Sequence, residues 1–328
     1  MKIVVTGAAG FIGSSTCDAL RSRGDTVVGI DNFDPYYDPA LKWHNLENAL
    51  ADGHFTLHQA DIRDVAAMDA IIGAAAPDVV VHLAARAGVR PSLLDPHVYF
   101  DINVMGTESI LRAIRRHGVP HAVLASSSSV YGATSRPPFR EDEPADQPSS
   151  PYAATKRANE VAAYAHHHIW GTTITLLRFF TAYGPRQRPE MAIHRFAGLI
   201  AAGRPVPMFG DGTTARDYTF IDDIVAGVLA SIDRPNGYRI YNLGTTTQVP
   251  LHDLITLLAA RLGRSARVDQ LPAQEGDVPL THADISLARR ELGYEPRTDI
   301  DDGLDRFIDW FRAESAMSDT GYFASVPA

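Results

Sequence analysis

The chain has one cysteine, Cys17, among its 328 residues. That excludes an internal disulfide and any Cys-x-x-Cys metal site, and it fits a reducing compartment. No apolar run is long enough to span a bilayer, and Met1-Lys2 lead directly into a short strand with no signal-peptide pattern. The expectation is a soluble cytoplasmic protein with no membrane partner. Excess basic charge is also missing: 39 acidic residues against 30 lysines and arginines leave a formal charge of −9. Without a cationic stripe to neutralise a phosphate backbone, nucleic acid is excluded as a partner, although a small anion is not. The chain has no internal repeat or low-complexity tract, and disorder is expected only at the extreme C-terminus.

What is present is an ordinary globular balance, 45% hydrophobic and 21% charged, arranged in alternating short β-branched runs and longer amphipathic ones. Strands are expected at Ile3–Thr6, Thr26–Asp31, Phe55–Ala60, Val79–Leu83, Ala122–Ser126 and Thr173–Arg178. Helices are expected at Phe11–Arg23, Leu41–Ala51, Val65–Ala75, Pro96–His117 with Gly118 as C-cap, and Pro151–Trp170. This is the pattern of an α/β fold with a Rossmann-type, doubly wound parallel sheet. After Gly184 the rhythm becomes irregular, with helices near Ile221–Ile232, Leu251–Leu262 and Gly303–Arg312. Residues 1–184 therefore read as a nucleotide-binding domain to which some later segments return, and 185–328 mainly as a smaller substrate lobe.

Gly7-Ala8-Ala9-Gly10-Phe11-Ile12-Gly13 follows a strand and opens a helix, where small residues let a pyrophosphate approach backbone N–H groups. An ordinary turn would need neither flank. Asp31 closes the second strand, where a carboxylate accepts from both ribose hydroxyls and repels a 2′-phosphate, so NAD is expected rather than NADP; the alternative is that Asp31 and Asn32 begin a turn. Asp61, after the third strand, reaches the adenine or caps the next helix. Tyr152 and Lys156 lie four positions apart on one helix face, where an ammonium favours a tyrosinate general base. Taken alone such a pair arises by chance on solvated helices. Ser126-Ser127-Ser128-Ser129 puts hydroxyls at the C-terminal end of a strand, where open α/β sheets bind ligands, or else forms a serine-rich turn. His166-His167-His168 are consecutive helical residues about 100° apart, which cannot converge on one ion, and no metal is expected. Tyr36-Tyr37 either cover the cofactor or pack a loop.

Taken together, the glycine turn, Ser127 ahead of Val130-Tyr131-Gly132, and Tyr152-x-x-x-Lys156 resemble the extended short-chain dehydrogenase/reductase family of nucleotide-sugar enzymes. Leu83-Ala84-Ala85-Arg86, Asn103-x-x-Gly106, Arg178-Phe179-Phe180-Thr181-x-Tyr183-Gly184 and Phe209-Gly210-Asp211-Gly212 extend the match over nearly the whole chain. Within the family the resemblance is closest to UDP-glucuronate 4-epimerases, through Asp31-Asn32-Phe33-Asp34-Pro35-Tyr36-Tyr37-Asp38, Arg186-Gln187-Arg188-Pro189-x-Met191 and Gln274-x-Gly276-Asp277-Val278. In UDP-galactose 4-epimerases an arginine usually stands where Gln274 aligns and an asparagine where Thr181 does. Related dehydratases and decarboxylases carry acids beside the active-site hydroxyl, where this chain has Ser128 and Ser129.

The resemblance implies C4 epimerisation between UDP-glucuronate and UDP-galacturonate through a 4-keto sugar and tightly held NAD. Tyr152 is then the base, assisted by Ser127 and Lys156. Further cofactor contacts would come from Ile62, Leu83, Ala84, Ala85, Asn103, Ser126 and Phe179. For the substrate, Ser127, Ser128, Thr181 and Arg188 would hold the carboxylate, and Met191, Arg195, Phe209 and Arg216 the UDP portion; Arg86, Ser129, Ala192, Gln274 and Asp277 join them. Planarity and permanent charge suit arginine to a carboxylate, although Arg186 or Arg188 would equally make a surface ion pair. A homodimer through the helices at Pro96–His117 and Pro151–Trp170 is implied as well. The competing readings are a UDP-glucose/UDP-galactose 4-epimerase, then a UDP-glucuronate decarboxylase or a 4,6-dehydratase, and outside enzymes a non-catalytic NAD-binding regulator.

Overall fold

The computed structural model describes residues 1–132, 136–273 and 278–317. Gln274, Asp277 and the extreme C-terminus, where disorder was expected, lie outside the described residues. The strands are β1 (Lys2–Thr6), β2 (Thr26–Asp31), β3 (Phe55–Gln59), β4 (Val79–His82), β5 (His121–Ser127), β6 (Thr173–Phe179), β7 (Thr181–Tyr183), β8 (Val206–Phe209), β9 (Ala215–Phe220), β10 (Tyr238–Leu243), β11 (Gln248–Pro250) and β12 (Val268–Leu271). The helices are α1 (Phe11–Ser22), α2 (Pro39–Leu50), α3 (Val65–Ala75), α4 (Val89–Leu94), α5 (Pro96–Tyr99), α6 (Gly106–His117), α7 (Pro151–Trp170), α8 (Ala192–Ala201), α9 (Ile221–Asp233), α10 (Leu251–Leu262), α11 (Ser286–Leu292) and α12 (Ile300–Met317).

Among the described residues the main sheet has seven strands in the order β10-β6-β5-β4-β1-β2-β3, parallel at every pairing. Its strands are apolar on both faces because side chains alternate sides. Ile3, Val5, Val27, Val81 and Val123 join one buried cluster, while Val4, Val28, Val80, Leu124 and Ile174 join the other. Each such side chain withdrawn from water contributes about 1.5–3 kcal/mol before chain entropy is counted. From β1 the chain winds outward to β2 and β3, then crosses to β4 on the other side. The reversal opens a crevice at the C-terminal ends of β1 and β4, where such sheets bind ligands. Strand β10, far along the chain, returns to the edge of this sheet beside β6. The small sheets β11-β9-β7 and β12-β8 lie outside it.

Local chemistry explains the helix ends. Ser150 accepts from the Ala153 amide and Pro151 occupies the first turn of α7, whose C-terminus passes into left-handed Gly171. Gly118, at φ 63°, closes α6 in the same way. The expected single helix Pro96–His117 is instead α5, a wide π-helical turn at Phe100–Met105, and α6. The wide turn directs Asn103 inward, and Thr107 Oγ1 donates to its carbonyl at 2.6 Å. Helix α12 starts three residues earlier than expected because Asp299 accepts from the Asp302 amide at 2.8 Å.

Candidate active site

A cleft of about 470 Å³ lies along the crevice. Its first end is built by the turn between β1 and α1. Gly7 adopts φ +71°, and a Cβ there would lie 2.8 Å from the Ala84 nitrogen; a Cβ on Gly13 would lie 1.9 Å from the Gly7 oxygen. Glycine is required at both for the turn to close against its own helix and against β4. No side chain caps the N-terminus of α1, and no acidic residue stands in its first turn, so its amides and positive dipole end face the cleft. Asp31 sits at the wall, held by the amides of Ala9 at 3.0 Å and Phe33 at 2.8 Å. Asp61 accepts from Asn32 and from Arg63, whose bonds depress its pKa to about 2. Asp61 thus lines the cleft as a fixed anion and accepts from the Arg63 amide as well, while Asp64 is the residue that caps α3. The uncapped amides, the glycine turn and the Asp31 carboxylate together fit a dinucleotide. Ile62, Leu83, Ala84, Ala85, Ser126 and Phe179 line the same space.

At the other end α7 presents Tyr152 and Lys156, β5 ends in Ser127, and the tight helical turn that follows begins with Ser128 and Ser129; all five line the cleft. Burial raises the Tyr152 phenol pKa, opposed by a hydrogen bond with Ser127 and by the positive charge of Arg188. The expected effect of Lys156 on the phenol is not what this arrangement provides. The Lys156 ammonium donates to the Ala125 carbonyl at 2.9 Å, and burial lowers its pKa to about 8, against the pull of Glu160. It therefore remains largely protonated at neutral pH. One turn further along α7, fully buried Glu160 receives two bonds from Arg178, at 2.8 Å each, with further bonds from Ser126 and Arg157.

A third group of charges crosses the cleft. Arg86 donates to Asp34 at 2.8 Å, and its guanidinium lies over the Tyr36 ring at 4.1 Å. Arg188 stands 6.0 Å from the same ring and 3.1 Å from Glu190. Lys42 donates to the Asp34 carbonyl at 2.8 Å and lies over Tyr37 at 4.8 Å. The two tyrosines thus line the cleft and also pack the loop, with a cation against each ring. Arg186 forms a surface ion pair with Asp18 at 2.7 Å.

Thr181, Met191 and Arg216 also line the cleft, whereas Ala192, Arg195, Phe209 and Asn103 are outside its lining. Asn103 stands behind the wall because its amide is already taken: it accepts from the Arg86 amide at 2.7 Å and donates to the Arg86 carbonyl and to Thr155, both at 3.0 Å. It fastens the Arg86 segment to α7. Phe209 carries the Arg90 guanidinium at 4.8 Å, and the charges of Arg90 and Arg204 add to burial in lowering the Arg195 pKa. Asp34, Lys42, Arg90 and Glu190 were not singled out from sequence. Asp34 entered only as part of the Asp31–Asp38 motif, and the contacts of Lys42 on α2, Arg90 on α4 and Glu190 on its loop depend on tertiary packing that spacing does not encode. Of the three consecutive histidines, His166 bonds the Thr172 hydroxyl while His167 donates to the Thr172 carbonyl at 2.7 Å.

A model of the NAD-dependent epimerase/dehydratase family matches residues 3–244. The UDP-glucuronate 4-epimerase of Thermodesulfobacterium geofontis (strain OPF15) is 43% identical over 308 residues, covering 94% of this chain and 95% of its own. UDP-glucuronate 4-epimerase 4 of Arabidopsis thaliana is 43% identical over 329 residues, with 95% and 75% covered. Among solved structures, the UDP-glucuronic acid 4-epimerase from Bacillus cereus, in complex with UDP-glucuronic acid and NAD, superposes with a TM-score of 0.91 at 37% identity, covering 96% of this chain and 100% of that one. With a glycine turn, a wall carboxylate and a tyrosine-lysine helix meeting in one cleft, and a family match spanning most of the sequence, the chain belongs to the NAD-dependent epimerase/dehydratase family.

Proposed function

We propose that this enzyme interconverts UDP-glucuronate and UDP-galacturonate by inverting C4 of the sugar. The observation that carries the reading is the meeting of the Tyr152 phenol and the Arg188 guanidinium in the cleft that begins at the glycine turn. The 43% identity with UDP-glucuronate 4-epimerases over 94% of the chain supports it. The α1 amides and Asp31 would hold NAD, which when bound would supply reversible hydride transfer at C4.

Tyr152 takes the C4 hydroxyl proton, with Ser127 hydrogen-bonded to the phenol as a second hold on the same oxygen. Because burial makes the phenol a reluctant acid, the Ser127 hydrogen bond and the nearby positive charge of Arg188 determine when it yields its proton. The flat keto sugar turns over within the cleft and Tyr152 returns the proton, so C4 is inverted with no net redox change. Arg188 holds the substrate carboxylate with Ser128 and Thr181, which keeps a β-keto acid in an orientation unfavourable to loss of carbon dioxide. Arg90, Arg195 and Arg216 serve the diphosphate, and Phe209 the uracil; the mutual repulsion around Arg195 supports an anion there. The sugar-binding lobe is thus drawn mainly from residues after 184, while β10 belongs with the nucleotide-binding sheet.

Two finer readings accompany this one. A homodimer formed along the Pro96–His117 segment and α7 is supported by the exposed Phe100 and Met105 on the wide turn and Val161 and Tyr164 on α7, and light scattering of the purified protein would test it. A cytoplasmic site of action is supported by the single, buried Cys17. Among the described residues no helix is long and apolar enough to cross a membrane.

The test is to incubate purified protein with UDP-glucuronate, adding no cofactor, and to follow the nucleotide sugars by chromatography and proton NMR. UDP-galacturonate is the expected product. A UDP-pentose would make the enzyme a decarboxylase, and turnover of UDP-glucose alone would make it a neutral-hexose epimerase.

A further inference from the structure

We infer that Glu190 competes with the substrate's carboxylate for Arg188, and so sets how strongly this enzyme prefers a uronic acid to a neutral hexose. The inference rests on the reading of Arg188 as the carboxylate receiver.

Arg188 and Glu190 flank Pro189, with Arg188 Nε 3.1 Å from Glu190 Oε1. The contact is close enough to balance charge but is not aligned as a hydrogen bond. Both Glu190 carboxylate oxygens are shut off from water and receive no hydrogen bond from any described residue. A carboxylate installed to orient an arginine would take its N–H groups in line, as Glu160 takes those of Arg178 at 2.8 Å. Besides its place over the Tyr36 ring, Arg188 donates from Nη2 to the thioether of Met191 at 3.4 Å, a weak acceptor. The outer Nη1/Nη2 fork therefore meets no carbonyl or carboxylate among the described residues. Tyr36 and Tyr37, which border the same space, both experience the opposing charges of Arg188 and Glu190.

A guanidinium with a misaligned partner on one side and an unclaimed fork on the other accepts a second carboxylate, but at reduced strength. The fixed negative charge beside it repels an arriving anion at short range through a poorly screened medium. A neutral hexose experiences no such repulsion. It also leaves the cation compensated by Glu190, so the site tolerates it without an unpaired buried charge. Removing the Glu190 charge acts in opposite directions on the two substrates, which general damage to the site would not do. Specificity of this kind is a difference of two affinities, and Glu190 acts on the unfavoured side of it.

The test is isothermal titration of the cofactor-loaded protein with UDP-glucuronate, UDP-glucose and UDP, comparing the parent with Glu190→Gln. The expected result is an affinity for UDP-glucuronate raised about three- to tenfold, an unchanged or weaker affinity for UDP-glucose, and an unchanged affinity for UDP. Unchanged or weaker UDP-glucuronate binding with UDP binding intact overturns the inference. If Glu190→Gln also weakens UDP binding, Glu190→Ala is titrated in its place and must tighten UDP-glucuronate relative to UDP; failure to do so overturns the inference too. Binding does not depend on turnover, so a parent enzyme that fails to make UDP-galacturonate refutes the proposed reaction and leaves this test readable.

Discussion

Two arginine-glutamate pairs, one buried in the interior and one with its arginine on the cleft wall, differ in almost every respect. Glu160 and Arg178 are both buried, joined by two aligned bonds, and Ser126 and Arg157 also bond the carboxylate. Glu190 and Arg188 are more exposed, at 27% and 19% of their side chains, and misaligned, with the carboxylate otherwise unbonded. The closed pair takes up its carboxylate and two of the three guanidinium nitrogens internally, leaving only Arg178 Nη1 unbonded in the interior, and serves as framework. An open pair retains capacity, and it stands next to the phenol. The difference separates a guanidinium whose bonds to its carboxylate are aligned from one whose outer fork meets no carbonyl or carboxylate among the described residues, and the second kind is the one that can take a ligand's carboxylate.

Breaking the closed pair should have the largest effect. Glu160→Ala leaves the Arg178 cation buried without its counter-ion and should cost about 3–5 kcal/mol in urea unfolding. A loss under about 1 kcal/mol would mean that the network is no framework. On the open pair the effect should fall on binding rather than folding. Arg188→Gln should weaken UDP-glucuronate about 10- to 100-fold by titration while shifting the unfolding midpoint little.

Lys156 lies between the two pairs and should show the opposite cost. Its folded pKa, about 8, is below the ordinary 10.5, so between those values the unfolded chain binds more protons than the folded one. Stability should therefore rise with pH from about 8 to 10.5, and at pH 7 the buried charge is a full penalty. Lys156→Met should lose activity yet gain about 1–3 kcal/mol at pH 7, with the gain shrinking as the pH approaches 10. Urea midpoints of both proteins across that range measure it.

The smallest effect should come from Arg86 and Asp34, a pair whose side chains are 25% and 30% exposed. Asp34→Asn should change folding stability by less than about 1 kcal/mol. It should also loosen the loop that carries Tyr36 over the cleft, so that bound NAD is lost severalfold faster in a dilution assay read by its fluorescence on reduction.

The framework was far more legible in the sequence than the open pair. Strand β2 and the helices α3, α7 and α10 lie where periodicity and capping residues put them, because their signals are local: a proline in the first turn, a glycine past the end, apolar side chains at a fixed period. The single helix expected over Pro96–His117 was misread because the wide turn at Phe100–Met105 serves a distant contact, Asn103 with Arg86, which no local pattern encodes. At the site, the glycine turn, Asp31 at its strand end, and Tyr152 and Lys156 on one helix face stood out by spacing or place in the sequence, and the structure brings them to one cleft. Lys42 on α2, Arg90 on the short α4, and Asp34 and Glu190 on loops reach the site by a path that depends on tertiary packing, and their spacing alone does not announce those contacts. The orientation of Lys156 toward the Ala125 carbonyl was equally invisible, since an i, i+4 pair fixes a face and not the direction of a long side chain.

The central claim is that the hydrogen on C4 leaves and returns to the same carbon inside one closed cleft. It is tested most directly with UDP-glucuronate deuterated at C4, turned over in ordinary water and examined by NMR after partial conversion. The account expects UDP-galacturonate with the deuterium retained at C4. Deuterium lost to water, with protium at C4 of the product, would contradict it.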